Sequence, residues 1–471
     1  MLALLLRKIV PLFTYLALLT LGASAYGDPK PLTKEEQAKV DKAIDKGVAF
    51  LKRVQHDKGD WPLYMRSRYV LGQTLLPAYA LLESGVPADA PCITKAAEYI
   101  RPRVLKLDWT YEVSLAVLFL DRLGDPKDKP LIRNLALRLI AGQHVTGGWN
   151  YRCPTLKKEQ EDTLVKALTE LTKGQAAGEK TPAKILKELE IPHSFRALTI
   201  FRDPSKLPWR EPHHGKETEP MYTLQLAGAT TNSNTQFALL ALWAAQRHEI
   251  PVTPTFRLMV ERFERSQLVD GWWPYQFENY NDPDWIKRHP SMICVGLLSL
   301  AVGRGLKLST PGSAQQGSAD LHVLKSLAAL SQDIGVAAAN LEKANSMRGT
   351  YYLWSLERVA MLYALPTIGD KDWYRWGSTI LLASQKSDGS WKDVKVSGKD
   401  QLVQGPNWGL VPNIDTSFAL LFLKPSHPMK ELTPKLPFKA KELNQGIAKL
   451  LSGVPLEPST TTPGQSEKPK R

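Results

Sequence analysis

The stretch Gln143-His144-Val145-Thr146-Gly147-Gly148-Trp149 decides the fold, because its outline Gln-x-x-x-Gly-x-Trp recurs three more times. The other copies are Gln55-Gly59-Trp61, Gln267-Gly271-Trp273 and Gln385-Gly389-Trp391. Composition alone gives roughly a few hundredths of one such match in this length, so four copies mark a repeat. Each copy follows a helical pattern, such as Val40, Ile44, Val48 and Leu51 ahead of Gln55. That spacing predicts Gln at a helix C-terminus and Gly just beyond it in a left-handed cap, with Trp folding back over the turn.

Working outward, a second, more apolar helix is expected at Gln73–Glu83, Tyr111–Leu123, Asn234–His248, Ser291–Gly303, Tyr351–Leu365 and Asp415–Leu423. An amphipathic partner precedes each one, at 35–54, 92–106, 130–142, 254–266, about 320–345 and 372–384. Helices apolar on all sides belong inside and helices with one apolar stripe outside, so six antiparallel pairs suit a closed double ring.

The repeated Gln-x-x-x-Gly-x-Trp segments, each joining an outer to an inner helix, resemble the QW repeats of the squalene-cyclase and protein-prenyltransferase superfamily. The resemblance is nearest to exported bacterial proteins with prenyltransferase/squalene-oxidase repeats. Asn232-Ser233-Asn234-Thr235-Gln236-Phe237-Ala238, Tyr351-Tyr352-Leu353-Trp354-Ser355-Leu356-Glu357-Arg358 and Ile414-Asp415-Thr416-Ser417-Phe418 onward to Leu423 carry it, over roughly residues 35–425. It implies an all-α fold, an (α/α)6 toroid of six helical hairpins with an insertion in the third.

The ends divide from this body. Arg7-Lys8, the apolar run Ile9 to Leu21 and Ala23-Ser24-Ala25 read as a signal peptide over residues 1–25. The toroid then takes 26–425, interrupted at 155–230 by a charged, Pro-rich insertion, with a loop at 306–319. Residues 426–471 form a basic, partly disordered tail. The expected location is extracytoplasmic, periplasmic or secreted, with no transmembrane helix in the mature chain. Three cysteines are too few for a disulfide framework and leave one chance bridge or three buried thiols. The formal charge of +14 is spread along the chain, which suits a soluble surface, an anionic lipid or an acidic polysaccharide, and no nucleic acid is expected.

Inside a ring of this kind, functional groups belong near the starts of the inner helices. Tyr111, Glu112, Asn232, Asn234, Tyr351, Tyr352 and Arg358 are the candidate cavity or ligand residues, and Asp415 and Glu357 the candidate acids. Asp415 and the Asn232-Ser233-Asn234 run also read as N-caps. Glu112 and Glu357, inside apolar helices, must either pair or face the cavity. The residue types that carry the superfamily's known chemistry are missing. There is no Asp-x-Asp-Asp acid, the nearest string being Asn281-Asp282-Pro283-Asp284. Asp415 stands where a zinc-ligand His would be expected, and Gly-Cys-Gly-Glu-Gln is absent. His213-His214 are adjacent and diverge, and no His-Glu-x-x-His occurs, so no metal and no cofactor is expected. Three readings follow: a binding ring for an apolar or polymeric ligand, an isoprenoid cyclase or transferase with a non-standard acid, and a polysaccharide lyase-like enzyme. Whether the protein is an enzyme, and its oligomeric state, are not fixed by the sequence.

Overall fold

The computed structural model describes residues 31–63, 69–177, 198, 230–277, 288–308, 320–335, 349–392 and 412–453. The signal peptide, most of the insertion, the loop after Leu308, the strings at 213–214 and 281–284, and the chain beyond 453 lie outside these residues. The all-α expectation is met: the described residues hold fourteen α-helices, short 3-10 turns and no strand.

Six helices run almost wholly buried. They are α2 (Gly72–Glu83), α4 (Thr110–Leu123), α7 (Asn232–Ala245), α9 (Pro290–Gly305), α11 (Gly349–Leu362) and α13 (Pro412–Leu423). Packing runs from α2 to α4, α7, α9, α11 and α13, and from α13 back to α2, so these inner helices follow one another in a cycle. Six amphipathic helices back them: α1 (Lys34–Val54), α3 (Pro91–Ile100), α5 (Lys129–Ala141), α8 (Thr253–Ser266), α10 (Leu321–Ser331) and α12 (Trp373–Ser384). In α1 the buried positions Val40, Ala43, Ile44, Gly47, Phe50 and Leu51 form a single stripe, as the sequence spacing requires. No described helix is long and apolar enough to cross a membrane.

The repeated motif welds neighbouring outer helices. Each Gln side chain donates to a carbonyl of the next outer helix, in its first turn at three joints and mid-helix at the fourth: Gln55 to Cys92 at 2.8 Å, Gln143 to Thr255 at 2.9 Å, Gln267 to His322 at 2.8 Å and Gln385 to Ala43 at 2.9 Å. Each Trp indole N–H donates to the carbonyl ten residues before it, near the end of its own helix, at 2.7–2.9 Å. The glycines are left-handed, at φ +97°, +76°, +83° and +91°. They do not cap the helix, as the sequence suggested, because each stands four positions beyond its Gln, which is itself at the helix end. Their lack of a side chain is needed because a Cβ would lie 2.2–2.5 Å from the carbonyl oxygen of Lys95, Leu258, Lys325 or Lys46 on the next outer helix. The last of these contacts joins α12 to α1 and closes the outer layer.

Two of the six outer joints lack the motif. Between α3 and α5, Arg101 donates to Asp128 at 2.8 Å and to Asp125 at 2.9 Å. Between α10 and α12, a further helix, α14 (Ala440–Leu451), packs on α10. Its Asn444 accepts from the Gly369 N–H at 2.9 Å and donates to the Thr367 carbonyl at 3.2 Å.

Two departures from the sequence reading concern segments set aside as insertion and tail. Part of the insertion is α6 (Lys158–Ala177), which packs outside the ring on α5 and α8. Part of the tail, residues 426–439, straps the C-terminal ends of the inner helices. Ser426 bonds to α11, Leu432 lies against Gly305 of α9, and Met429 and Leu432 are buried. The apolar residues of this strap are too few to form a helical pattern, so only the ring surface gives them a place. All three cysteines are free thiols: Cys92 is half-buried, Cys153 and Cys294 buried.

Candidate functional site

With the C-terminal end strapped, the N-terminal ends of the inner helices form the other face of the ring. Two tyrosines are set there by the motif turns. Tyr151 and Tyr275 each follow a motif Trp by two residues, and their carbonyls accept from the first N–H groups of α4 and α7, Thr110 and Asn232, both at 2.9 Å. The backbone thereby satisfies a helix terminus and aims each ring inward.

The phenols meet over α7. Tyr151 and Tyr275 hydroxyls lie 2.8 Å apart, Ser233 donates to Tyr275 at 3.2 Å, and Tyr111 and Ser233 lie at 2.5 Å. Tyr69 packs edge-on to Tyr111 and to Trp109, with centroids 5.7 and 5.0 Å apart. The Arg152 guanidinium lies 3.9 Å over the Trp109 ring and is ion-paired with Asp108. Tyr69, Trp109, Tyr111, Tyr151, Tyr275 and Tyr351 are all half-buried, so this cluster borders solvent. Burial pushes the Tyr111, Tyr151 and Tyr351 phenols up, and they remain hydrogen-bond donors at neutral pH rather than bases.

Beneath the mouth the centre is filled. Phe237 of α7 packs against Trp354 of α11 at 5.4 Å, and Trp354 against Phe418 of α13 at 5.2 Å. Helices α7 and α11 are not neighbours in the cycle, so this contact crosses the middle of the ring. Gln236 crosses it as well, donating to Ser355 at 3.1 Å and accepting from the Tyr351 hydroxyl.

The expected site residues divide between these regions. Tyr111 and Tyr351 belong to the mouth. Tyr352 turns outward to Trp376 on α12. Asn232 accepts from Arg262 at 2.8 Å and donates to the Pro274 carbonyl at 2.8 Å, tying α7 to α8 and to the Tyr275 turn. Asn234 donates to Thr231 at 2.7 Å, and Thr231, not the Asn-Ser-Asn run, is the cap of α7. Asp415 is not a cap either. Its helix begins three residues earlier at Pro412, and its carboxylate accepts from Thr350 of α11 at 2.9 Å.

Glu357 and Arg358 lie on the strapped side. They pair with each other, Glu357 accepts from the Ser426 N–H at 3.2 Å, and Arg358 donates to the Ser426 hydroxyl at 3.1 Å. Glu112 is 3% exposed and accepts from the Gly72 N–H at 2.8 Å, at the start of the adjacent inner helix. Burial pushes both acids up, from 4.5 to about 7, against the hydrogen bonds that lower them. An acid raised in the fold binds protons that the unfolded chain has released, so these groups favour the fold at low pH and lose that contribution between about 4.5 and 7. A displacement of this size is worth about 3 kcal/mol for each acid. Urea midpoints should therefore fall from pH 5 to pH 8, and Glu357→Gln and Glu112→Gln should each flatten that fall. A midpoint difference between pH 5 and pH 8 unaltered by either substitution would contradict the assignment.

Sequence reasoning missed Tyr151, Tyr275, Phe237, Trp354 and Phe418. The repeated Trp-x-Tyr at Trp149 and Trp273 was a usable signal for the first two. No comparable signal exists for the others, because a helix apolar on all sides does not say which side faces the middle. Among the described residues no group of His, Cys, Asp and Glu could hold a metal ion.

No family model matches the chain, and no curated protein matches it. Among solved structures, one titled "Glycosidase Wild Type" is 13% identical over 86% of this chain and 100% of its own, with a TM-score of 0.36. Similarity at that level constrains neither fold nor chemistry.

Proposed function

We propose that the protein is a binding ring, extracytoplasmic as its leader suggests, that holds a polyhydroxylated polymer such as a polysaccharide chain at the tyrosine mouth. The observation that carries this is the convergence of Tyr111, Tyr151, Tyr275 and Ser233 hydroxyls beside half-exposed aromatic faces. Sugar rings offer C–H faces for stacking and hydroxyls for hydrogen bonding, and such a mouth answers both. An isoprenoid cyclase would need a deep chamber where Phe237, Trp354 and Phe418 stand packed. A lyase would need a phenol that ionises readily, and burial pushes these phenols the other way. The squalene-cyclase and prenyltransferase resemblance is thus taken as a likeness of architecture rather than of reaction.

The test is calorimetric titration of the purified protein with soluble dextran and with polygalacturonate, beside squalene in detergent. Binding of at least one polysaccharide is expected. The Tyr151→Phe/Tyr275→Phe double variant should weaken it about thirtyfold, at about 1 kcal/mol for each of the two lost hydrogen bonds, without lowering the melting temperature by more than a few degrees. Cyclised product from squalene that vanishes in Asp415→Asn would overturn the reading, as would saturable squalene binding with no polysaccharide bound.

A further inference from the structure

Four aromatic rings of the mouth touch in series. Trp109 meets Tyr69 at 5.0 Å between centroids, Tyr69 meets Tyr111 at 5.7 Å, and Tyr111 meets Tyr151 at 6.1 Å. All four are half-buried, so together they form a track along the rim. The two ends of this track differ in chemistry.

At the Tyr151 end the hydroxyls are committed mostly to each other. Ser233 has one proton and gives it to Tyr275 at 3.2 Å, so the 2.5 Å contact with Tyr111 uses the proton of Tyr111. Tyr351 gives its proton to Gln236. Whichever way the 2.8 Å bond between Tyr151 and Tyr275 runs, one phenol of that pair keeps a proton to donate. This end therefore offers a ligand one donor, with acceptor oxygens at Tyr111 and Tyr351, and it suits a neutral sugar as well as an acidic one.

The Trp109 end is selective. Arg152 is fixed there by its backbone: its N–H donates to the Asn150 side chain at 2.8 Å, and its carbonyl accepts from the Thr110 hydroxyl at 3.3 Å. Its side chain is 46% exposed and lies with the guanidinium carbon 3.9 Å from the centre of the Trp109 ring. Asp108, itself 49% exposed, takes only Nη1. Nε and Nη2 donate to no described residue. Those two nitrogens form the planar fork whose parallel N–H groups match the two oxygens of a carboxylate.

We propose, resting on the reading of the mouth as a polysaccharide site, that the polymer is acidic: a uronate-type chain lies along the track and seats a carboxylate on the Nε/Nη2 fork of Arg152. Arg152 is then the residue that selects acidic over neutral polymer, and Asp108 moderates the contact by partly neutralising the cation. The net charge of +14 is spread along the chain and attracts any polyanion at long range without choosing a site. The test has to separate that general attraction from the fork.

The full chain is titrated calorimetrically with polygalacturonate and with dextran, and the ratio of the two affinities is the quantity read. In the wild type the ratio should favour polygalacturonate. Arg152→Gln should weaken polygalacturonate binding about tenfold, as expected for one charge-assisted contact, and dextran binding by less than about twofold. Arg152→Lys keeps the charge without the fork and should lose about threefold. Asp108→Asn should tighten polygalacturonate about threefold, a gain that a damaged fold could not produce. Arg133→Gln removes the same charge from α5, where Arg133 is 35% exposed and pairs with Asp162 of α6, and it should leave the ratio as it was. Equal losses in Arg133→Gln and Arg152→Gln would overturn the assignment, because net charge would then account for the binding. A wild type that binds dextran as tightly as polygalacturonate would also overturn it, while the mouth would remain a polysaccharide site. If neither polymer binds, both readings fail together.

Discussion

Gly147→Ala should unfold the protein or cost it about 4 kcal/mol or more, placing it among the most damaging single substitutions. Two costs add at this position. A residue with a side chain at φ +76° loses roughly 1 kcal/mol relative to glycine. The larger cost is steric: the new Cβ would lie 2.2 Å from the Leu258 carbonyl oxygen and 3.2 Å from the Arg262 Cβ. Both obstacles belong to the body of α8 and cannot swing aside. Relief requires the turn to back away from α8, which breaks the 2.9 Å bond from Gln143 to Thr255 and unseats Trp149. Gly124→Ala is the control. Its φ is +74°, nearly the same, and nothing lies within 4 Å of the added methyl group. It should cost about 1 kcal/mol. Urea denaturation followed by tryptophan fluorescence reads both, and equal losses would mean that the motif glycines serve backbone freedom alone.

The second large effect is expected at Arg304. Its guanidinium pairs with Glu264 of outer helix α8 and with Asp320, and all three side chains are at most 3% exposed. Asp320 at the same time caps α10, accepting from His322 N–H at 3.0 Å and Val323 N–H at 3.2 Å. Arg304 of inner helix α9 thus fastens two outer helices. Arg304→Met would keep much of the volume and leave two buried carboxylates without their cation, a change that costs about 3–5 kcal/mol. Arg375→Met tests the same chemistry where water intervenes. That residue pairs with Glu36 across α12 and α1, with side chains 32% and 39% exposed, and the loss there should stay below about 1 kcal/mol. Comparable losses at the two sites would show that burial does not govern these pairs.

Much of the ring was legible because its signals are local. The 3.6-residue spacing of Val40, Ile44 and Leu51 and the unbroken apolar run Phe237–Ala245 follow from which faces each helix buries. Gln, Gly and Trp at fixed offsets report a turn whose parts meet within ten residues. Ends were less legible, since Asn232 and Pro412, not Asn234 and Asp415, begin their helices. Capping depends on which N–H groups a neighbour already satisfies, as the Tyr275 carbonyl does for Asn232. The strap and α14 were missed because Met429, Leu432, Leu443 and Ile447 bury themselves only against other helices.

For the site the division is sharper. The sequence by itself determined that the helices alternate between one-sided and all-round apolar, that four turns repeat, and that no recognised catalytic string is present. Only the tertiary structure decided that Glu357 and Arg358 lie under the strap, that Phe237, Trp354 and Phe418 fill the middle, and that Tyr151 and Tyr275 join Tyr111 and Ser233 at the mouth. The reason is physical. A helix buried all round carries no periodic mark of its inward side, and hydroxyls 42 and 122 residues apart in the chain meet only once the helices have packed into their cycle.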